Sequence, residues 1–252
     1  MLKNEMIKSD KVSVIIPTYN EKENITRIIP KISEVFKKNK INGCIIISDD
    51  NSPDGTGKLA DNLSKKYPLK VIHRTKNRGY GNSIIDGFKK AKEINSKIVI
   101  TMDCDFSHNP NIIPKLIKSL NSGADVSIGS RRVEGGKIVG WSLWRHFCSA
   151  GAGSFSKIML GLKAKDVTSG FRAYKIKVLK NIPFENIKSN GYSFLEELLY
   201  MVQMKDYKIK EVPIVFFDRT NGESKLSKKE IVKFFLTILR LRFTRRSNII
   251  KK

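Results

Sequence analysis

The stretch KVSVIIPTYNE, residues 11–21, joins a short apolar segment rich in β-branched residues to a polar loop. The segment is typical of a buried β-strand, and a helical pattern with a recurring apolar stripe follows to about residue 39. The same succession recurs up to residue 130. Further strands are predicted in GCIIIS (43–48), LKVIHR (69–74), KIVITMD (97–103) and ADVSIGS (124–130), with helices near 56–66, 81–93 and 110–122. This alternation predicts an α/β fold, a Rossmann-like, mainly parallel sheet with helices on both faces.

The pattern changes after about residue 140. We expect a helix over 143–161, a loop at 166–175 that enters a short element, a helix over 193–204 and a strand over 208–219. A final basic helix is predicted over 226–246. The chain therefore divides into a main domain, residues 1–225, and a basic amphipathic C-terminal helix with its tail, residues 226–252.

The final helix has an apolar face surrounded by lysine and arginine. Its apolar residues are Ile231, Phe234, Phe235, Ile238, Leu239 and Leu241. The pattern is typical of a helix that lies on an anionic membrane surface, and packing on the main domain explains it equally well. A run of about 18 apolar residues is absent, so no spanning helix is expected. The polar N-terminus and three widely spaced cysteines favour a cytoplasmic location, with peripheral contact to the membrane.

The chain of 252 residues carries 48 Lys and Arg against 24 Asp and Glu, a formal net charge of +24. Such a charge favours anionic partners: nucleic acid, anionic lipid or phosphorylated substrates. A lysine-rich composition without any such role explains the charge equally well. The sequence contains no nucleic-acid-binding motif, so no nucleic-acid partner is expected, and a non-enzymatic basic binding protein is a remote alternative.

Polar loops follow the predicted strands: PTYNE (17–21), SDDNSPDGTG (48–57), HRTKNRGYGN (73–82), MDCDFSHNP (102–110) and GSRRVEGG (129–136). Ligands of parallel sheets bind beyond the carboxyl ends of the strands, so these loops are interpreted as one site. Asp103 and Asp105 end a buried strand, and two such carboxylates suit a hard cation, Mg²⁺ or Mn²⁺. Elsewhere a D-x-D pair is more often a turn cap with a solvated neighbour. Asp50 is suited to accept hydrogen bonds from a ribose or a base.

Several cationic residues also lie in or near loops: Arg131, Arg132, Arg145, Arg172, Arg219 and Lys225. Guanidinium groups bind phosphate bidentately. A site in which a divalent metal ion binds one phosphate group and arginines bind another would suit two phosphorylated substrates. For Arg132 we favour a solvated surface charge. His108 is interpreted as an ordinary loop residue.

Together the motifs VSVIIPTYNEKENI, DDNSPDGT, MDCDFSHNP, GSR, TSGFRAYK and RTNGESKL resemble the family-2 glycosyltransferases with the GT-A fold. More narrowly, the chain resembles their polyprenyl-phosphate branch, the dolichol-phosphate mannose synthases, from about Val12 to Arg240. The main domain would then be the catalytic one. Many such transferases share PTYNE and the acidic pair, whereas DDNSPDGT and R-x-x-GESKL are more specific to this branch.

The resemblance implies a role for each site residue. The nucleoside of a nucleotide-sugar would be held by Pro17, Tyr19, Glu21 and Asp50. Asp103 and Asp105 would bind metal and diphosphate, with Ser107 at a third metal-binding position where relatives often carry the longer glutamine. Arg131, Arg145 and Ser149 would bind the lipid phosphate, and Arg219 and Lys225 would close over the phosphates. Asp103, Asp105, Arg131 and Arg219 would be the catalytic residues.

The implied reaction is an inverting transfer of a sugar to dolichyl or polyprenyl phosphate, most simply of mannose from GDP-mannose. Transfer of glucose from UDP-glucose is the alternative. A phosphate monoester is largely dianionic at neutral pH, so it needs no general base, unlike a hydroxyl acceptor. Glu196 and Glu197 are therefore expected to be structural or orienting. Some relatives use a membrane-anchoring subunit, which is a possible partner here.

Overall fold

The computed structural model describes residues 10–191, 193–218, 228–244 and 249, without the side chains of 228–230. Its strands are β1 (Val12–Thr18), β2 (Gly43–Asp49), β3 (Leu69–His73), β4 (Ile98–Thr101), β5 (Val126–Ser130), β6 (Lys137–Val139), β7 (Arg172–Lys175), β8 (Ile209–Pro213) and β9 (Val215–Phe217). Its α-helices are α1 (Lys22–Lys38), α2 (Thr56–Leu63), α3 (Tyr80–Glu93), α4 (Ile113–Asn121), α5 (Leu143–Leu160), α6 (Ile176–Asn181), α7 (Phe194–Met204) and α8 (Lys228–Phe243). Two short 3₁₀ helices cover Pro110–Ile112 and Phe184–Asn186.

Seven strands form the main sheet in the order β3-β2-β1-β4-β7-β5-β8. The neighbours are parallel except β7, which runs antiparallel to both β4 and β5. Residues such as Ile15 and Ile16, on opposite faces of β1, are both fully buried, as expected of β-branched strands covered on two sides. The predicted mainly parallel α/β sheet is confirmed.

Helices cover both faces of this sheet. One core contains Ile15, Ile46 and Val99 together with apolar residues of α3, α7 and α8. The other contains the alternate strand positions Ile16 and Ile45 together with apolar residues of α1 and α4. Side chains on successive strand residues point to opposite faces, which is why β1 and β2 contribute to both cores.

The interpretation of residues 208–219 as one strand is wrong, because the chain changes sheets at Ile214. The Ile214 amide donates to the Ser130 carbonyl of the main sheet at 2.9 Å. The Ile214 carbonyl accepts from the Lys137 amide of β6, also at 2.9 Å. β9 consequently pairs in parallel with β6 in a small second sheet, which lies beside the carboxyl end of β5.

The C-terminal helix α8 packs on the domain and also presents an open apolar face. Phe234, Ile238 and Leu241 are buried in the core shared with α7. Its exposed apolar residues are Ile231, Val232, Phe235, Leu236, Leu239 and Phe243. In the part of the chain described, no helix has the length and apolarity needed to cross a bilayer. The predicted domain boundary at residue 225 lies outside the described residues.

Candidate active site

The acidic loop after β4 is held in shape by its own hydrogen bonds. The Asp103 amide donates to Nδ1 of His108 at 3.0 Å. The amide and hydroxyl of Ser107 donate to Oδ1 of Asp105 at 3.1 and 2.6 Å. Phe106, between the two carboxylates and the serine, has a left-handed backbone with φ of 61°. These bonds fix the Asp103 backbone and the Asp105 carboxylate relative to the end of β4.

His108 lies in the acidic loop, as expected, and its buried ring shapes that loop. Its ring stacks on Phe171 with centroids 5.0 Å apart and meets Phe216 edge-on at 5.7 Å. Burial lowers the pKa of His108, although the nearby Asp103 and Asp105 oppose the shift. A neutral imidazole is the form whose Nδ1 can accept the bond from the Asp103 amide.

The two carboxylates suit a divalent cation that shares its coordination with a substrate. The Asp103 side chain is 37% exposed. Asp105 lines a cavity of about 370 Å³ together with Gly140 and Asp218. Within the described residues, no group of three or more His, Cys, Asp or Glu side chains could hold a metal ion by itself. Two hard oxygen donors completed by phosphate oxygens match the usual mode of Mg²⁺ binding beside nucleotides.

The predicted nucleoside residues gather at the carboxyl ends of β1 and β2, which lie side by side. Pro17 is paired with Ser48 in the parallel register, and the Asp50 amide donates to the Thr18 carbonyl at 3.0 Å. Tyr19 is exposed, with the Arg78 guanidinium 5.9 Å from its ring centre. The structure thus brings this edge of the sheet together as the sequence predicts.

Two further residues of this edge take part in its architecture. The Glu21 amide donates to Thr56 Oγ1 at 3.0 Å, which ties the start of α1 to the start of α2. The Asp50 carboxylate pairs with Arg74 and accepts from the Gly79 amide at 2.6 Å. Asp50 is therefore already oriented by the chain before any ligand arrives.

Sequence reasoning missed two residues that shape this edge. Asp49 accepts from Thr18 Oγ1 at 2.9 Å and from Ser52 Oγ at 2.6 Å. Asn190 lies more than a hundred residues along the chain and still binds the turn at residues 78–82. The acidic DDNS stretch was a signal for Asp49, whereas no local pattern points to Asn190.

On the other side of the acidic loop, Arg131 is clamped by Asp166. Nε and Nη2 of Arg131 donate to the two carboxylate oxygens at 2.7 Å each, and Nη2 also donates to Thr168 Oγ1 at 2.6 Å. Burial alone would raise the pKa of Asp166, but the hydrogen bonds and charge of Arg131 lower it overall. The Arg131 guanidinium also lies 5.3 Å from the Phe216 ring centre, the same ring that His108 touches. Arg131 and the acidic loop are therefore neighbours.

Arg145 and Ser149 come from α5, which begins at the Ser142 cap. Nη1 of Arg145 lies 2.7 Å from both carboxylate oxygens of Asp218, and the guanidinium stands 4.4 Å from the Trp141 ring centre. Arg132 donates to Ser149 Oγ at 3.1 Å. The interpretation of Arg132 as a solvated surface charge is wrong, because this partly buried side chain joins the same cluster.

Arg172 does not belong to this cluster. Its fully buried guanidinium donates to the carbonyls of Ser169, Leu195 and Val167, each at 2.7 Å. These bonds tie the loop before β7 to the start of α7. Arg172 is thus structural, and the candidates Arg219 and Lys225 lie outside the described residues.

The acidic loop meets the loop before β7 at Gly170. Thr101 Oγ1 donates to the Gly170 carbonyl at 2.7 Å. A Cβ atom at Gly170 would stand 2.8 Å from the Tyr80 hydroxyl and 3.8 Å from Asp103 Oδ1. A larger residue at Gly170 would have to displace the Tyr80 hydroxyl. The donor edge, the acidic loop and the Arg131 loop therefore converge on one place.

Glu196 and Glu197 both point into the protein. Glu197 accepts from Ser189 and from Arg240, which agrees with the expected structural role. Glu196 is buried, and among the described residues its Oε2 has no hydrogen-bond partner. Burial raises the pKa of Glu196 to about 7.

Comparison with known proteins gives one consistent family. The family model described as Glycosyl transferase family 2 matches residues 13–183. Dolichol-phosphate mannosyltransferase of Pyrococcus furiosus is 41% identical over 92% of this chain, which spans 63% of that protein. Undecaprenyl-phosphate mannosyltransferase of Micrococcus luteus is 38% identical over 86% of this chain and 88% of its own length. Polyprenol monophosphomannose synthase of Mycolicibacterium smegmatis is 37% identical over 86% of this chain and 82% of its own length.

Solved structures show the same fold at lower identity. Glucosyl-3-phosphoglycerate synthase of Mycobacterium tuberculosis, solved with Mn²⁺, UDP-glucose and glycerol 3-phosphate, superposes with a TM-score of 0.69 at 19% identity. The match covers 95% of this chain and 83% of that one. The likeness extends the agreement in architecture to nearly the whole chain.

Proposed function

Since this chain belongs to glycosyl transferase family 2, we propose that it transfers mannose from GDP-mannose to dolichyl or polyprenyl phosphate, with inversion at the anomeric carbon. The observation that carries the proposal is the shared contact of His108 and Arg131 with Phe216, which sets the acidic loop beside the arginine cluster. Such a site can accept two phosphorylated substrates at once. The names of the three relatives supply the acceptor class and the sugar.

In this reaction an oxygen of the acceptor phosphate attacks the anomeric carbon of the sugar. A new carbon–oxygen bond forms as the bond to the nucleoside diphosphate breaks, and the diphosphate leaves with the electron pair. The attacking phosphate is dianionic near neutral pH, so no proton has to be removed by the protein. Nδ1 of His108 accepts from the Asp103 amide, so this atom is not available as a general base.

On the donor side, Pro17, Tyr19, Glu21 and Asp50 would hold the nucleoside, and Arg219 and Lys225 would cover the phosphates. Asp103 and Asp105 would hold Mg²⁺ or Mn²⁺, which would neutralise the charge of the leaving diphosphate. Ser107 orients Asp105 through a 2.6 Å hydrogen bond.

On the acceptor side, Arg131, Arg145 and Ser149 would bind the lipid phosphate, joined by Arg132. These side chains are held by carboxylates or by one another, so their donors are positioned in advance. Positioning and charge neutralisation are what a reaction between two anionic substrates requires of a protein.

The acceptor lipid requires access to a membrane surface. At the start of α5, next to Arg145, the apolar side chains of Leu143, Trp144 and Phe147 are strongly exposed. The exposed apolar face of α8 and the positive net charge support binding to an anionic, cytosol-facing membrane surface. Peripheral attachment would place the lipid phosphate at the level of the arginine cluster.

A donor panel tests the proposal. Radiolabelled GDP-mannose and UDP-glucose are each incubated with polyprenyl phosphate and Mg²⁺ or Mn²⁺, and label is measured in the lipid extract. We expect label from GDP-mannose, and none after chelation of the metal or with Asp105→Ala, checked for folding by circular dichroism. Label from UDP-glucose alone would reject GDP-mannose as the donor. Label in the absence of polyprenyl phosphate would reject that lipid as the acceptor.

A further inference from the structure

Asn190 holds the turn that begins helix α3 through three hydrogen bonds. Its carbonyl accepts from the Gly81 amide at 3.1 Å, and its Oδ1 accepts from the Asn82 amide at 2.9 Å. Its Nδ2 donates to the Arg78 carbonyl at 2.7 Å. The backbone of the turn therefore depends on a residue from a distant part of the chain.

The turn at residues 78–82 orients Asp50. The Gly79 amide donates to the Asp50 carboxylate at 2.6 Å, and Arg78 Nη1 reaches the Asp50 carbonyl at 3.4 Å. Gly79 has φ of 124°, and a Cβ there would stand 2.4 Å from Asn190 Nδ2. The tight fit leaves the turn little freedom to move while Asn190 stays in place.

The loop that carries Asn190 is fixed by Glu197 of α7. The Glu197 carboxylate accepts from the Ser189 amide at 3.0 Å, from the Ser189 hydroxyl and from the Lys188 amide at 3.3 Å. Arg240 of α8 donates to Glu197 Oε1 at 2.6 Å. The Glu197 side chain is 2% exposed, so loss of its cationic partner would leave a buried charge without compensation.

We infer that Glu197 and Asn190 are positioning residues that couple the seating of helix α8 to the shape of the donor site. The chain of contacts runs from Arg240 through Glu197, Ser189 and Asn190 to the turn that orients Asp50. The inference rests on the proposed role of Asp50 in binding the nucleoside. The exposed apolar face of α8 is turned away from the buried Phe234, Ile238 and Leu241 and lies beside Arg240, so a surface that binds this face stabilises the helix that the donor site depends on.

Coupling of this kind is reciprocal. A ligand that stabilises the ordered turn also stabilises α8 against the domain, and a surface that holds α8 tightens binding of the nucleotide by the same factor. Couplings between sites are typically worth about 5- to 150-fold in affinity. We expect about tenfold here.

The link is tested first without any ligand, by hydrogen exchange at the amides of Gly79, Gly81 and Asn82. Arg240→Met removes the cation that faces Glu197, and we expect exchange of these amides to accelerate about tenfold. Arg242→Met is the matched control, because it removes the same charge from an exposed position on the same helix. Arg240→Lys keeps a cation and is expected to restore most of the protection.

The second readout is the affinity for GDP, measured by calorimetry with and without vesicles of anionic phospholipid. We expect Arg240→Met to weaken GDP binding about tenfold, and vesicles to tighten it in the wild type but not in this variant. If the wild type binds no GDP, the proposed donor is refuted. The hydrogen-exchange data still test the coupling between α8 and the turn in that case. If Arg240→Met unfolds, Ser189→Ala replaces it, with a severalfold acceleration expected. Exchange equal to that of the control variant overturns the inference.

Discussion

Arg131 and Asp166 form a two-point ion pair in which both side chains are nearly inaccessible, with 7% and 0% exposure. The pair spans the loop after β5 and the loop before β7, so it joins the two segments that face the acidic loop. Nε and Nη2 of Arg131 are both bonded to the Asp166 carboxylate, so the pair fixes the orientation of the guanidinium. A phosphate would therefore meet an arginine that is already positioned.

Removal of one partner of this buried pair should be costly. Asp166→Asn leaves the Arg131 charge without its counterion, and we expect a loss of unfolding free energy on the order of 3 kcal/mol in urea denaturation. Asp218→Asn is the control, because its pair with Arg145 is partly exposed and should change stability by at most about 1 kcal/mol. Equal losses in the two variants would contradict this account.

Arg145 and Asp218 should affect the acceptor in opposite directions. Asp218→Asn removes a negative charge that competes with phosphate for Arg145, so we expect the KM for polyprenyl phosphate to fall severalfold. Arg145→Met should raise the same KM about tenfold. Steady-state kinetics at saturating donor measure both effects. A KM that moves in the same direction in both variants would remove Arg145 from the acceptor site.

Ser107 should act on the metal through Asp105. Ser107→Ala deletes the hydroxyl that donates to Asp105, and we expect the Mn²⁺ concentration for half-maximal transfer to rise roughly 10- to 100-fold. At saturating Mn²⁺ the rate should approach that of the wild type. Ser127→Ala, which alters a buried serine within β5, is the control. An unchanged Mn²⁺ dependence would show that Asp105 needs no support from this hydroxyl.

Glu196 should make stability depend on pH in a direction opposite to that of most carboxyl groups. Burial raises its pKa from 4.5 to about 7, so the folded protein keeps a proton that the unfolded chain releases. The contribution of Glu196 is therefore most favourable below about pH 4.5 and is lost progressively as the pH rises to about 7.

Replacement of this carboxyl group by an amide isolates the effect. We measure the unfolding free energy of the wild type and of Glu196→Gln at pH 4.5 and at pH 8. The variant should become more stable relative to the wild type by about 3 kcal/mol between these two pH values. The nearby charges of Arg172, Asp166 and Arg131 are present in both proteins, so they largely cancel. A difference that is constant with pH would mean that Glu196 titrates normally.

The exposed aromatic pair of α5 should contribute to membrane binding. Trp144 and Phe147 stack with ring centroids 6.1 Å apart and are largely exposed. Replacement of both by serine should weaken sedimentation with phosphatidylglycerol vesicles at least about tenfold. Vesicles of phosphatidylcholine serve as the control for charge. Equal binding of the wild type to both lipids would contradict the electrostatic part of the proposal.

Much of the fold follows from local patterns in the sequence. Strands such as KIVIT are continuous apolar runs because both of their faces are buried, and the alternation with amphipathic helices predicts the parallel order. The direction of β7 and the break at Ile214 do not follow from local sequence patterns. They depend on which distant backbone groups pair, and a short strand such as RAYK carries no signal of its direction.

The candidate site also has parts that the sequence predicts and parts that it does not. The acidic loop is predictable, because Asp103 and Asp105 follow a buried strand directly and other polar loops follow the neighbouring strands. The partners of the cations are not, since Asp166 and Asp218 lie 35 and 73 residues from Arg131 and Arg145. Arg132 could not be separated from an ordinary surface charge until its bond to Ser149 was seen.

The reversed direction of β7 has a consequence for the order in which the chain assembles. During synthesis the N-terminal segments emerge first, so β1, β2, β3 and β4 can pair while β7 is still missing. Until residues 172–175 arrive, one edge of β4 is bare, and the Thr101 hydroxyl lacks the Gly170 carbonyl that follows 69 residues later. A ribosome-bound chain of this length exposes a short, largely apolar strand edge, the kind of surface on which nascent chains aggregate. The strand that covers this edge of β4 thus also ends the most vulnerable period of folding.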